Sequence, residues 1–182
     1  MSDNRLKIGI TQGDTNGIGW EVILKTLSDS RMTELCTPVV YGTPAAAELY
    51  RSRIAELEEI AFNTVASARD ARRGRVNRVG GGPQQLRIAP GEPSAEAGQA
   101  AVEALRTAMR DLKEGTLDAL VTGPIDKETV QADDFRHTGH TEYLAAELGG
   151  TPMMLMCSDL LRVGLVTTHL PLAEVSAALS RA

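Results

Sequence analysis

The sequence predicts an α/β fold, a mostly parallel sheet with crossover helices. Two observations carry this. Strand-like and helix-like segments alternate through the first fifty residues, and parallel neighbours need such crossovers because no tight hairpin can join them. Further along, the most regular helical pattern in the chain leads into another short apolar run. With 182 residues, 42% hydrophobic and 24% charged, the chain closes a sizeable core in one or two compact units.

Leu6-Lys7-Ile8-Gly9-Ile10-Thr11 reads as the first strand, and apolar residues at 18, 22, 23, 24 and 27 mark a helical face after a glycine-punctuated turn. Pro38-Val39-Val40-Tyr41-Gly42 is a second strand ended by glycine. Pro44 then fits the first turn of a helix through Ala45, Ala46, Ala47, Leu49 and Tyr50. Arg69, Arg72, Arg73, Arg75 and Arg78 crowd the stretch that runs into Gly80-Gly81-Gly82-Pro83, a composition that suits an exposed loop. Asp70 interrupts these arginines and no aromatic partners them, so they read as solvated surface. A lobe boundary is expected within residues 60–93.

Order returns at Ser94, a helix N-cap followed by Ala97, Ala101, Leu105, Ala108 and Leu112, with Gly115 as the stop. Residues 117–122 supply the next strand, ending at Gly123-Pro124-Ile125-Asp126-Lys127. After a loop through Phe135, Arg136 and His137, Thr141 or its neighbours open a short helix through Tyr143, Leu144 and Leu148 that stops at Gly149-Gly150. Residues 153–157 and 162–168 are apolar runs suited to pairing as strands, with His169 directly after the second. A last helix begins near Leu170 and runs to Ala182, the pattern expected of a truncated piece of a longer protein.

Acidic residues outnumber basic ones by 24 to 19, a net charge of -5 that gives no reason to seek a nucleic acid or an anionic membrane. No apolar run approaches the ~20 residues of a membrane span, and the start lacks the apolar core of a signal peptide, so a cytoplasmic location is expected. Cys36 and Cys157 lie far apart in unrelated contexts, which rules out a disulfide framework or a CxxC motif and predicts two buried thiols. At 3% aromatics, base-stacking platforms and aromatic carbohydrate sites are not expected.

Three places hold chemistry. Gly13-Asp14-Thr15-Asn16-Gly17-Ile18-Gly19 links a strand to a helix, where backbone N–H groups can meet an anion. Its GxxxGxG spacing matches neither the dinucleotide fingerprint nor the P-loop, so a tight structural turn is an equal reading. Second come Lys127, His140 and Thr141, on loops following strands, where parallel sheets hold ligands. His140 either serves a ligand or satisfies a loop carbonyl, and pairing with His137 as a metal site would need a helix that Gly139 disfavours. Third is His169 in Thr167-Thr168-His169-Leu170-Pro171, placed as a metal ligand at a strand end.

Four segments now stand in order: Gly13-Asp14-Thr15-Asn16-Gly17-Ile18-Gly19, Thr122-Gly123-Pro124-Ile125-Asp126-Lys127, Gly139-His140-Thr141-Glu142-Tyr143-Leu144-Ala145 and Val166-Thr167-Thr168-His169-Leu170-Pro171-Leu172. Together they resemble the 4-hydroxythreonine-4-phosphate dehydrogenase family, from residue 6 to the last. The resemblance implies a fold like isocitrate and isopropylmalate dehydrogenases, with residues 1–182 as the N-terminal part of a two-lobed enzyme. It implies metal- and NAD(P)-dependent oxidation and decarboxylation of 4-phosphooxy-L-threonine to 3-amino-2-oxopropyl phosphate, in pyridoxal phosphate (vitamin B6) biosynthesis. The implied cofactors are a divalent metal (Zn, Mg or Co) and NAD or NADP. The metal lowers the pKa of the alcohol and stabilises the enolate left by decarboxylation.

By the same resemblance His140 and Thr141 are the substrate-binding pair, His169 is the first metal ligand, and Lys127 is a neighbour of the substrate. No catalytic acid or base is assigned. The remaining metal, phosphate and dinucleotide ligands are expected in a later half of the family sequence, and a homodimer is implied because the family's metal site draws on a second subunit. The chain departs from the family pattern at Thr15-Asn16, where a proline-containing loop is expected, and at Trp20, either a core residue or one that narrows the cleft. Such changes leave open a related four-carbon substrate, threonate or erythronate 4-phosphate. A non-catalytic ligand-binding remnant is the reading from another class.

Overall fold

The first strand, β1 (Lys7–Thr11), forms where the sequence alternates around Gly9, and β2 (Thr37–Tyr41) pairs parallel to it, Lys7 opposite Thr37 and Thr11 opposite Tyr41. The computed structural model describes residues 5–54, 60–80, 86–131, 135–137 and 139–179, which fall into two compact units, residues 1–140 and 141–182. In the first unit α1 (Gly19–Leu27), α2 (Met32–Leu35) and α3 (Pro44–Arg53) flank β2 in the chain. Then follow β3 (Asn63–Val65), a 3₁₀ turn at Ala68–Asp70, β4 (Asn77–Val79), α4 (Ala95–Lys113) and β5 (Ala119–Thr122). All five strands are parallel, in the order β3-β4-β2-β1-β5.

Successive β2 side chains point to opposite faces, and both faces are covered. Val40 joins Trp20, Ile23, Leu24 and Leu27 of α1 and Tyr50 of α3 in one cluster. Val39 and Tyr41 join Ala104 and Ala108 of α4 in the other. The result is a three-layer α/β/α sandwich with β2 buried along its whole length. Trp20 is a core residue, 0% exposed. The buried face of α1 is 20, 23, 24 and 27, while Ile18 and Val22, expected in it, are 61% and 51% exposed. The helix starts only at Gly19, and seating the large Trp20 ring under the sheet turns Val22 outward.

The α4 signals hold in detail. Ser94 Oγ accepts the Ala97 N–H at 3.1 Å, and Gly115 takes the left-handed φ of 69° that ends the helix. The arginine-rich stretch is a loop only in part, because β4 lies in it and β3 lies just before it. Their pairing is organised by a polar residue, which hides them from a hydrophobicity pattern. Asn77 is fully buried, donates to Pro38 O at 3.2 Å and Arg72 O at 2.9 Å, and accepts from Asn63 Nδ2 at 2.8 Å. Arg69, Arg72, Arg73 and Arg75 are exposed as expected, whereas Arg78 is half-buried with its guanidinium 5.6 Å from the Phe62 ring centre. Gly81, Gly82 and Pro83 lie outside the described residues.

In the second unit α5 (His140–Leu148), whose first residue closes the preceding unit, stops at Gly149, φ 67°. β6 (Leu155–Cys157) and β7 (Arg162–Gly164) pair antiparallel, as the two apolar runs predict, but β7 ends at Gly164 and not at Thr168. The last helix, α6, spans Leu172–Ala178, and residues 180–182, which the sequence places in it, lie outside the described residues. Neither cysteine is fully buried. Cys36 is half-buried and Cys157 is exposed on the two-stranded β6-β7 ribbon, which corrects the expectation of two buried thiols. No helix among the described residues is long and apolar enough to cross a membrane.

Candidate functional site at the carboxyl ends of the sheet

Chain order runs outward from β1 through β2 and then crosses to β5 on the other side of β1. In open α/β sheets the crevice at such a reversal, beyond the strands' carboxyl ends, is where ligands sit. Here the loop after β1 and the loop after β5 meet there. Asp14 N–H donates to Pro124 O at 2.8 Å and Gly123 N–H to Thr11 O at 3.0 Å. A cleft of about 320 Å³ opens beside them, lined in part by Asp14, Asn16, Glu92, Pro124, Ile125 and Asp126.

The glycine loop is built for close approach. Gly13 has φ 69°, and a Cβ there would lie 2.2 Å from Pro124 O; one on Gly19 would lie 2.0 Å from Gln12 O. The loop also consumes its own donors: Asn16 N–H bonds to Asp14 Oδ1 at 2.7 Å and Gly17 N–H to Asp14 O at 3.1 Å. With the Asp14 N–H bonded to Pro124 O and those of Asn16 and Gly17 bonded within the loop, these three amides do not form an anion cradle, which favours a structural turn over residues 13–17.

His140 opens α5 beside Thr141, which is exposed on the same first turn. The imidazole Nε2 of His140 is buried with no hydrogen-bond partner among the described residues. Burial holds the ring below the ordinary histidine pKa, so it is neutral at pH 7. A buried nitrogen left unpaired calls for a partner that the described residues do not supply. It does not come from His137, which lies before the helix starts and packs edge-on against Phe135 with ring centres 5.3 Å apart. The two-histidine arrangement therefore fails on geometry. Lys127 is exposed in a turn after β5.

His169 lies in the second unit, exposed, five residues beyond the end of β7 and so in the link to α6, not at a strand end. It is the one non-glycine residue with positive φ among the described residues, at 56°. Such a left-handed conformation costs energy for an L-residue and concentrates at functional positions. No group of three or more His, Cys, Asp or Glu side chains suited to a metal occurs among the described residues. One exposed imidazole therefore fits a divalent cation in kind but does not complete its ligand set.

Two residues important to this end of the sheet escaped the sequence pattern. Gln12, 0% exposed, joins α1, α3 and α4 through its side chain, and Asn16 binds the segment before α4. A polar pair flanking the first glycines was the available signal, but nothing local says which partners it meets.

Comparison with known proteins agrees with this architecture. Residues 34–182 match the family model described as pyridoxal phosphate biosynthetic protein PdxA. A 4-hydroxythreonine-4-phosphate dehydrogenase of Bacteroides thetaiotaomicron is 42% identical over 184 residues, covering 100% of this chain and 50% of that protein. A D-threonate 4-phosphate dehydrogenase of Cupriavidus necator is 34% identical, with 96% of this chain and 53% of that protein covered. Among solved structures, a 4-hydroxythreonine-4-phosphate dehydrogenase from Burkholderia phymatum superposes with a TM-score of 0.82 at 32% identity, over 94% of this chain and 52% of that one. The chain thus spans about half the length of the curated relatives it matches.

Proposed function

The chain belongs to the pyridoxal phosphate biosynthetic protein PdxA family, and from that premise we propose that it supplies part of the active site of a metal- and NAD(P)-dependent dehydrogenase. The complete protein, a cytoplasmic homodimer in this reading, oxidises the secondary alcohol of 4-phosphooxy-L-threonine, and loss of carbon dioxide gives 3-amino-2-oxopropyl phosphate for pyridoxal phosphate biosynthesis. The observation that supports a substrate site on this chain is the buried Nε2 of His140, which has no hydrogen-bond partner among the described residues, next in sequence to the exposed hydroxyl of Thr141. A neutral imidazole and a hydroxyl on one helical turn offer both a donor and an acceptor to an oxygen-rich substrate.

His169 is proposed as one ligand of a divalent metal (Zn, Mg or Co), which when bound would supply Lewis-acid polarisation of the alcohol oxygen, with NAD or NADP as the hydride acceptor. The described residues do not complete that metal site, so the part derived for this chain is binding and orientation by His140 and Thr141. The Asp14, Asn16 and Gly17 amides, already bonded, are not the ones that would meet the dinucleotide or substrate phosphates.

A second substrate is favoured by one finding, the relative that is a D-threonate 4-phosphate dehydrogenase. The test is to purify the complete protein and follow NADH or NADPH formation with 4-phosphooxy-L-threonine, D-threonate 4-phosphate and erythronate 4-phosphate, with and without each metal. Metal-dependent turnover of the first, much reduced in His140→Gln, is expected. Preference for threonate or erythronate 4-phosphate would move the assignment to that substrate, and ligand binding with no turnover of any phosphorylated hydroxy acid would leave the non-catalytic reading.

A further inference from the structure

Asn16, 5% exposed, binds one short segment at both ends and in the middle. Its Oδ1 accepts the Ala89 N–H at 2.9 Å. Its Nδ2 donates to Glu92 O at 2.8 Å and lies 3.3 Å from Ser94 Oγ, and its own carbonyl accepts the Gly91 N–H at 2.8 Å. Pro90, Gly91, Glu92 and Pro93 are all exposed, so burial does not hold this segment in place. Yet Gly91, Glu92 and Pro93 line the same cleft as Pro124, Ile125 and Asp126 at the β5 end.

We propose that Asn16 is a positioning residue: it clamps residues 89–94 as a wall of the cleft at the β1 and β5 ends, and so sets how tightly the ligand taken there is held. For the identity of that ligand the inference rests on the dehydrogenase reading. The described lining carries three carboxylates, Asp14, Glu92 and Asp126, and no basic side chain; Arg87, outside the lining, lies 3.8 Å from the Glu92 carboxylate, and Asp14 and Asp126 keep the cleft acidic. Like charges repel, so the cleft takes a hydroxyl- or ammonium-bearing part of the dinucleotide or substrate and not a phosphate. Between the core-packed Ile88 and the Ser94 cap, the exposed residues 90–93 are tied to Asn16 by polar contacts and move when these are cut, whereas the sheet beneath, packed on both faces, does not.

The experiment compares wild type, Asn16→Ala and Asn16→Asp in the complete protein by amide hydrogen exchange and by steady-state kinetics with NAD and 4-phosphooxy-L-threonine. In Asn16→Ala the Ala89 amide loses its acceptor and should exchange up to about tenfold faster, with KM for one ligand raised about 3–10-fold and kcat within about twofold. Asn16→Asp keeps an acceptor for Ala89 but loses the donors to Glu92 and Ser94, so it should restore the amide protection and leave KM intermediate. Unchanged exchange at Ala89 would overturn the clamp. Freed amides with unchanged KM for both ligands would overturn the positioning role, and a uniform loss of protection with kcat would show simple fold support in its place. If wild type shows no turnover the dehydrogenase reading fails separately. Calorimetric titration of NAD and 4-phosphooxy-L-threonine then replaces KM, and absence of any effect of Asn16→Ala on binding overturns the proposal.

Discussion

Gln12 Oε1 accepts the indole N–H of Trp20 at 2.9 Å, and both side chains are 0% exposed. The same oxygen accepts the Thr43 N–H at 2.8 Å, and Nε2 donates to Ala100 O at 3.2 Å, so the residue that follows β1 joins α1, the start of α3 and α4. Gln12→Leu keeps the volume but strands the Trp20 and Thr43 donors in the core. A loss of roughly 2–5 kcal/mol in urea unfolding is expected, since each stranded donor costs about 1–3 kcal/mol. A loss below ~0.5 kcal/mol would show that water or repacking satisfies both.

Gly13→Ala should destabilise the first unit and open the cleft. Its φ of 69° disfavours an L-residue, and the added Cβ meets the Pro124 carbonyl at 2.2 Å. Circular dichroism melting should show a midpoint several degrees lower, as expected for about 2 kcal/mol or more of strain and lost packing. Gly74, with φ 67° and nothing within 4 Å, is the control, where Ala carries the backbone cost alone.

Tyr41 donates to Asp111 Oδ2 at 2.6 Å beneath α4, and burial first, then this carboxylate, push its phenol well above the ordinary tyrosine range. Tyr41→Phe leaves a nearly buried carboxylate without that donor, at a cost of about 1–3 kcal/mol in chemical unfolding. The double variant Tyr41→Phe with Asp111→Asn should recover part of this, and failure to recover any would place the cost in packing.

Desolvation lowers the His140 pKa in the folded chain below its unfolded value of 6.5. The unfolded state therefore takes up the proton first as pH falls. Stability from this group is full above about pH 6.5 and declines as pH drops toward the folded pKa. Melting curves between pH 7.5 and 5 should show this decline in wild type and a shallower one in His140→Gln. Parallel slopes would mean that the ring is solvated.

His169→Ala should leave the fold within about 0.5 kcal/mol of wild type, because the side chain is exposed. Zinc affinity of the complete protein, read by calorimetry, should fall at least about tenfold with metal-dependent turnover. His169→Gly accepts the φ of 56° without strain and should lose the metal equally, which separates the ligand role from the backbone. Unchanged zinc binding in both would remove His169 from the metal site.

What the sequence determined by itself is what short-range chemistry encodes. The Ser94 cap, the 97/101/105/108 face and the Gly115 stop define α4, and the alternation through residue 53 defines a parallel sheet. The order of four motifs, including Gly139-His140-Thr141 and Thr168-His169, was enough to identify the family. Tertiary structure decided the rest. β3 and β4 were hidden because Asn77, not an apolar repeat, holds that register, and Trp20 was placed in the core only once α1 met the sheet. Whether the glycine loop cradles an anion or merely turns depends on where its N–H groups go. One of them goes to Pro124, more than a hundred residues away. Asn16 likewise acts on Ala89, 73 residues on. Local pattern reports propensity, but a hydrogen bond between distant residues exists only after packing has brought its two ends together, and at this end of the sheet those bonds shape the site.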